Sequence, residues 1–386
     1  MDWHKEKQQY IAKAKRVVVK VGSAVLASGQ GLDLDRVDVL AGEIAALHDT
    51  GREVILVSSG AVAAGRGVMR PIREITTTAL PDKQAAAAIG QSRLMHAYDQ
   101  AFASRGKISA QVLLTRDDLR SRQRFLNARN TFATLLAWSA IPVVNENDTV
   151  VVNELKFGDN DNLAGLLLNL VEADLFINLT SAQGVFDADP GANPDAKVME
   201  CIEDVQNLNV DALCGAKTTL GSGGMHSKLR AACRAAQIGV PTFIVPGREE
   251  NILAKVFDPK SVVNFGTWVR PSAKAIPSRK FWMAYNADPA GTLTIDAGAV
   301  RALEKGGKSL LPAGITGVAG SFGQGALVRI NGPDGAMVGV GLCNYSAAEL
   351  KRVMGQSLAN CAEPAASGAS YAEAVHRDNM LLHAAM

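Results

Sequence analysis

The chain has 386 residues, 47% apolar and 20% charged, with 40 Lys+Arg against 38 Asp+Glu for a net charge of +2. That apolar content excludes disorder over most of the length, and a chain of this size ordinarily divides into two cores. The near-neutral balance excludes a global pull towards nucleic acid or an anionic membrane, so a polyanion would have to be held by a local patch.

Residues 1–15 (MDWHKEKQQYIAKAK) are polar and lack the apolar segment of a secretory signal. From Arg16 to about Val245, short β-branched runs alternate with longer Ala-rich stretches, the pattern of a parallel sheet covered by helices. Strands are predicted at 17–21, 53–57, 141–144, 175–179 and 242–245, with helices at 37–49, 83–105, 127–139, 162–172 and 227–238. Residues 149–157 (TVVVNELKF) alternate in polarity and read as a hairpin projecting from the sheet, placed to cover a ligand. Residues 266–278 (GTWVRPSAKAIPS), with Pro271 and Pro277, read as a linker. Beyond it the texture is glycine-rich, with strands predicted at 291–295, 309–311, 315–318, 326–330 and 336–342 and short helices at 297–304 and 347–354: a small β-rich second domain. The Ala/Ser-rich stretch 361–370 reads as loop or frayed helix.

The five cysteines, Cys201, Cys214, Cys233, Cys343 and Cys361, are odd in number, contain no C-x-x-C pair and have no histidine at zinc-ligand spacing. No run approaches the ~18 apolar residues of a membrane span. The expectation is a reduced, soluble, cytoplasmic protein.

In an open parallel sheet, ligands bind beyond the carboxyl ends of the strands, where loop amides and helix N-termini converge. The first predicted strand ends in Lys20-Val21-Gly22-Ser23, the second in Ser58-Ser59-Gly60-Ala61, the third in Asn145-Glu146-Asn147-Asp148 and the fourth in Thr180-Ser181-Ala182-Gln183-Gly184. Polar residues end many strands, but four polar clusters on one edge favour a site. Lys20 is the sharpest signal, since an ammonium within VVVKVGS is costly to bury without an anionic partner. The plainer reading is a lysine whose stem packs on the sheet while its head reaches solvent. With Gly22 and Ser23 beside it, lysine and exposed amides make a phosphate-binding arrangement.

A second glycine-rich element, Gly221-Ser222-Gly223-Gly224-Met225-His226-Ser227-Lys228, opens a helix; small residues let backbone approach a polyphosphate, and the helix N-terminus favours its charge. It is neither a Walker A loop nor a dinucleotide fingerprint, because the required glycines are missing. The third element, Gly158-Asp159-Asn160-Asp161-Asn162, could be an acidic turn with an N-cap, but beside two lysines it fits better as an orienting carboxylate and a substrate clamp. It lacks the ligand pattern of a Ca²⁺ loop. No G-x-S-x-G elbow is present, the six histidines show no metal spacing, and Arg116, Arg120, Arg122 and Arg124 read as a solvated face or subunit contact.

The sequences VVVKVGSAVL, VSSGAVAAGR, NENDTV, KFGDNDNLA and GSGGMHSK, in this order and at these intervals, resemble the bacterial glutamate 5-kinases of the amino-acid-kinase superfamily. The C-terminal region resembles a PUA domain. The resemblance implies an α/β fold with an open, mainly parallel sheet between helices, plus a small β-rich PUA-like barrel. It implies a catalytic domain at 1–265, a linker at 266–278, a PUA-like domain at 279–360 and a tail at 361–386. The implied activity is ATP-dependent phosphorylation of the γ-carboxylate of L-glutamate, with Mg²⁺ carried by the nucleotide.

By motif position, Lys20 and Lys228 would stabilise the transferring phosphoryl group, with Asp161 as organiser. Ser59, Gly60, Asp148 and Asn160 would hold glutamate. Lys20, Thr180, Ser181, Ser222, Gly223, Gly224, Met225, His226, Ser227 and Lys228 would hold ATP. Proline as a feedback inhibitor and a homodimer or homotetramer are also implied. Two departures stand out: Ser181 follows Thr180 where relatives are expected to carry Asp, and His226-Ser227 replaces a Ser-Thr pair. The rival readings are a sibling amino-acid kinase with another carboxylate substrate, and an RNA-binding protein acting through the second domain. The nine Lys+Arg and eight Asp+Glu of residues 279–386 make that domain nearly neutral, which argues against RNA.

Overall fold

The computed structural model describes residues 2–29, 31–72, 79–151, 160–210, 213, 224–258, 265–285, 288–356 and 373–382. The chain forms two compact units, Met1–Ala275 and Ile276–Met386. Besides a two-stranded ribbon of Ala27–Ser28 and Gly31–Leu32, the first unit has the strands β1 (Arg16–Val21), β2 (Glu53–Ser58), β3 (Ser109–Leu114), β4 (Ile141–Glu146), β5 (Leu175–Thr180), β6 (Cys201–Ile202), β7 (Thr242–Pro246) and β8 (Thr267–Val269). They form one sheet in the order β3-β4-β2-β1-β5-β7-β8-β6, parallel throughout except where β8 runs against β7. The five predicted strands are all present. The structure adds β3, β6 and β8, the last lying inside the stretch read as linker.

Successive side chains of a strand alternate between faces, yet Val17, Val18, Val19 and Val21 are all fully buried, so both faces of β1 are covered. One face, with Val17, Val19, Val21, Leu175, Ile177 and Leu179, packs on α2 (Leu34–Asp49) and on the C-terminal half of α4 (Leu80–Ala103). Lys20 and Asn178 are register partners that point to the other face. That face is covered by α6 (Asn160–Val171), which packs against α7 (Met225–Gln237).

Helix α3 (Ala61–Met69), which starts directly after the Ser59-Gly60 pair, lies unusually close to α4. A Cβ on Gly65 would sit 1.8 Å from the Ala86 carbonyl oxygen, and one on Gly90 1.8 Å from that of Ala61. Only hydrogen fits at these two positions. Gly60 itself has φ of 114°, a conformation any other residue would adopt only under strain. The arginine-rich stretch makes surface ion pairs, Arg120 with Asp117 and Arg124 with Asp118, in agreement with its reading as a solvated face.

Of the predicted hairpin 149–157, residues 149 and 150 form a turn and 152–159 lie outside the described residues. The second unit holds a five-stranded sheet in the order β10-β9-β11-β12-β13, from β9 (Gly291–Ile295), β10 (Ile315–Gly320), β11 (Leu327–Asn331), β12 (Met337–Leu342) and β13 (Met380–Leu382). The predicted strand 309–311 is reduced to an isolated bridge between Leu310 and Val375. Met380–Leu382, in the region read as tail, instead pairs antiparallel with β12. This unit has its own core, including Leu293, Ile295, Val328, Ile330 and Leu350.

Candidate active site

The site is built where β1, β2, β4 and β5 end and where α6 and α7 begin. Asp161, in the first turn of α6, is fully buried, and its two oxygens collect four donors. Oδ1 accepts from Lys20 Nζ at 2.5 Å and from Asn178 Nδ2 at 2.8 Å. Oδ2 accepts from Ser227 Oγ at 2.7 Å and from Lys228 Nζ at 3.1 Å. Lys20 and Lys228, 208 positions apart in the chain, are 2% and 5% exposed and share one carboxylate.

Burial alone would push the Asp161 carboxyl up, but the two ammonium groups outweigh it and, with their hydrogen bonds, hold it below the usual carboxylate range. The start of α6 adds to that effect, since a helix N-terminus favours negative charge. Two ammoniums and one carboxylate leave one net positive charge in a largely buried place, an arrangement suited to an incoming polyanion.

A second cluster lies beside the first. Asn160 Nδ2 faces the Ser58 carbonyl at 3.0 Å, Ser59 Oγ at 3.0 Å and Asn145 Oδ1 at 2.8 Å. Asn145 in turn donates to Gln91 Oε1 on α4 at 2.8 Å, and the Ser58 hydroxyl lies 2.9 Å from that of buried Tyr98. Asp148, half-buried in the turn after β4, lines a cavity of about 300 Å³ with Gln91, Gln111, Glu146 and Thr149. Ser59 and Asn160 are therefore in direct contact, Gly60 follows at the start of α3, and Asp148 borders the adjoining cavity.

On the side expected to hold nucleotide, Thr180 is buried and its Oγ1 accepts from the Ala182 amide at 3.4 Å, while Ser181 is exposed. Ser222 and Gly223 lie outside the described residues. Gly224 caps α7 with open space around it, and Met225 packs against the apolar cluster of Val185, Leu229 and Ile244. The Ser227 hydroxyl also lies 2.8 Å from the Gly224 carbonyl, so its one hydrogen is shared between the glycine turn and Asp161.

The sequence reading placed Asn145 in the polar cluster that ends its strand but gave it no role, and it did not single out Asn178, Gln91 or Tyr98. Asn178 carried a signal, an amide within the otherwise apolar strand LFINLT, fully buried and register-paired with Lys20. Gln91 carried none, being one polar residue among many on a long helix. Burial pushes the thiols of Cys201 and Cys343 up to about 11 and raises that of Cys233, so none of the three is poised as a thiolate nucleophile. No group of three His, Cys, Asp or Glu side chains able to hold a metal occurs among the described residues, and both Asp161 oxygens are occupied by protein donors. The described residues thus do not compose a dedicated cation site. No helix among them is long and apolar enough to cross a membrane.

Residues 15–246 match the model of the amino acid kinase family and residues 291–363 that of the PUA domain. The chain is 61% identical to a glutamate 5-kinase of Oleidesulfovibrio alaskensis and 57% identical to one of Nitratidesulfovibrio vulgaris, each over 100% of both chains. It is 46% identical to a glutamate 5-kinase of Pelobacter propionicus over 97% of this chain and 100% of that one. With its mainly parallel sheet, its lysine pair held on one buried carboxylate and these full-length likenesses, the chain belongs to the amino acid kinase family, in the group formed by its glutamate 5-kinase relatives.

Proposed function

We propose that the chain transfers the γ-phosphoryl group of ATP to the γ-carboxylate of L-glutamate, yielding glutamyl 5-phosphate and ADP. The observation that carries this reading is the convergence of Lys20 and Lys228 on Asp161. A carboxylate oxygen of glutamate forms the new bond to phosphorus as the bond to the β,γ-bridging oxygen breaks. An unperturbed glutamate carboxyl has a pKa of about 4.3, so the nucleophile is already ionised near neutrality and no proton moves in the step. The absence of a histidine in the two clusters described above fits that requirement. What remains is in-line placement and positive charge around the equatorial phosphoryl oxygens. Lys20 and Lys228 supply the charge; Asp161, held by Asn178 and Ser227, sets where the two ammoniums point.

We assign Ser59, Gly60, Asp148 and Asn160 to glutamate, and Thr180, Ser181 and 222–228 to ATP. Mg²⁺ enters with the nucleotide phosphates. Proline as inhibitor and a homodimer or homotetramer belong to the same reading. The second unit supplies none of these residues, and we read it as regulatory or structural.

ATP consumption by the purified chain, measured with glutamate, aspartate, acetylglutamate and carbamate in turn, tests the substrate. Glutamate is expected to be preferred; preference for another carboxylate would refute the assignment. Asp148→Ala is expected chiefly to raise the glutamate KM, because the aspartate borders the substrate side and lies outside the Asp161 cluster. An effect confined to the ATP KM would show that Asp148 serves the nucleotide instead.

A further inference from the structure

The amide cluster next to Ser59 has a direction that two backbone groups determine. Side-chain amide oxygens and nitrogens look alike, so their orientation must be read from partners whose role is fixed. The Glu146 backbone N–H can only donate, and it meets Asn145 Oδ1 at 2.9 Å. The Ser58 carbonyl can only accept, and it meets Asn160 Nδ2 at 3.0 Å. Both anchors give the same polarity to the contact between them, Asn160 Nδ2 donating to Asn145 Oδ1 at 2.8 Å. Asn145 Nδ2 is then a donor, and the Gln91 oxygen at 2.8 Å receives it.

The consequence appears at the ligand side. Asn160 has two N–H groups, which the Ser58 carbonyl and Asn145 Oδ1 take up, with Ser59 Oγ 3.0 Å from the same nitrogen, and this leaves Oδ1 as the atom it can offer a ligand. An amide nitrogen does not accept, so the Ser59 hydroxyl hydrogen is not spent on Asn160 and can be donated. An acceptor from Asn160 beside a donor from Ser59 matches a zwitterion, with ammonium on the amide oxygen and carboxylate on the hydroxyl.

We infer that Gln91 is a positioning residue for substrate selection. Through Asn145 it holds Asn160 with its oxygen towards the amino group of the acceptor. Gln91 lies on α4, lines the cavity that Asp148 borders, and has no contact with Lys20, Asp161 or Lys228 among those described here. The inference rests on the glutamate reading above and extends it to the amino end of the substrate. Its signature is selective: loss of the Gln91 acceptor weakens recognition of the amino group and spares the phosphoryl chemistry.

The test uses the full chain carrying Gln91→Met, which keeps length and helix preference but removes the acceptor, and Gln91→Lys, which places a donor against the Asn145 donor. Steady-state kinetics with glutamate and ATP are compared with the inhibition constant of glutarate, which has both carboxylates and no amino group. For Gln91→Met the glutamate KM is expected to rise about three- to tenfold, the scale of one hydrogen bond, with kcat, the ATP KM and the glutarate inhibition constant close to those of the parent. Gln91→Lys is expected to raise the glutamate KM further. Glutamate KM and glutarate inhibition shifting together would reduce Gln91 to a general packing residue, and unchanged glutamate kinetics in both variants would remove it altogether; either result overturns the inference. A parent enzyme that does not turn over glutamate would instead fail the functional reading, and the two failures are told apart by that control.

Discussion

Lys228→Ala is expected to lower kcat by about 10²- to 10³-fold, the loss typical when one preorganised group is removed from a developing charge, while the glutamate KM stays near its parent value. The reason is differential binding. The ammonium lies in a buried pocket, and the charge it meets grows as the phosphoryl group passes between oxygens, so it contributes more in the transition state than in the ground state. Steady-state kinetics over a range of both substrates check this. An unchanged kcat would take Lys228 out of the mechanism, and a rise in glutamate KM alone would make it a ground-state binder.

Asp161→Asn is expected to abolish measurable turnover and to destabilise the first unit by about 3–5 kcal/mol, the usual cost of removing one partner from a buried ion pair. Here two ammoniums would lose their shared counter-charge at once. Urea unfolding followed by circular dichroism measures the stability term, and the kinetic assay measures the rest. The effect also depends on pH in a defined sense. Because the folded carboxyl is held below the usual range, the unfolded chain takes up its proton first on acidification. Its contribution is complete above the ordinary carboxylate value and is lost as pH falls through the depressed folded value. The parent protein and Asp161→Asn should therefore differ most near neutrality and converge in acid. A gap that stayed constant into the acid range would contradict the ion-pair account.

Much of the site was legible in the residues because its chemistry needs unusual ones. A lysine inside a valine strand, a glycine turn opening a helix and a carboxylate starting another are rare enough to be noticed without coordinates, and Lys20, Ser227, Lys228 and Asp161 do meet. Residues that only support others leave weaker traces. Gln91 lies in a helical run where polar residues are expected on one face, and nothing local marks its link to Asn145.

The fold shows the same division. Central strands buried on both faces read as mainly apolar runs, each broken by one polar residue of the site, and were found close to their true limits. Edge strand β3, SAQVLL, is half exposed, and its mixed pattern did not stand out from its surroundings. Strand β8 is three residues long and sits among glycine and proline, which outweigh Thr-Trp-Val in a local reading. Helix α3 was hidden for a physical reason: the glycine in AVAAGRG that weakens helix propensity is the one that lets α4 approach. β13 was missed because its pairing with β12, some forty residues earlier in the chain, is a tertiary fact.

The central claim is that both ammoniums act on one phosphoryl group under the direction of Asp161. A crystal structure of the full chain with glutamate, ADP and a metal-fluoride mimic of the transferring phosphoryl group tests it most directly. The account predicts Lys20 and Lys228 each within hydrogen-bond distance of the mimic, with Asp161 still between them. A structure in which either lysine turns away from the mimic, or in which the mimic binds on another edge of the sheet, would contradict it.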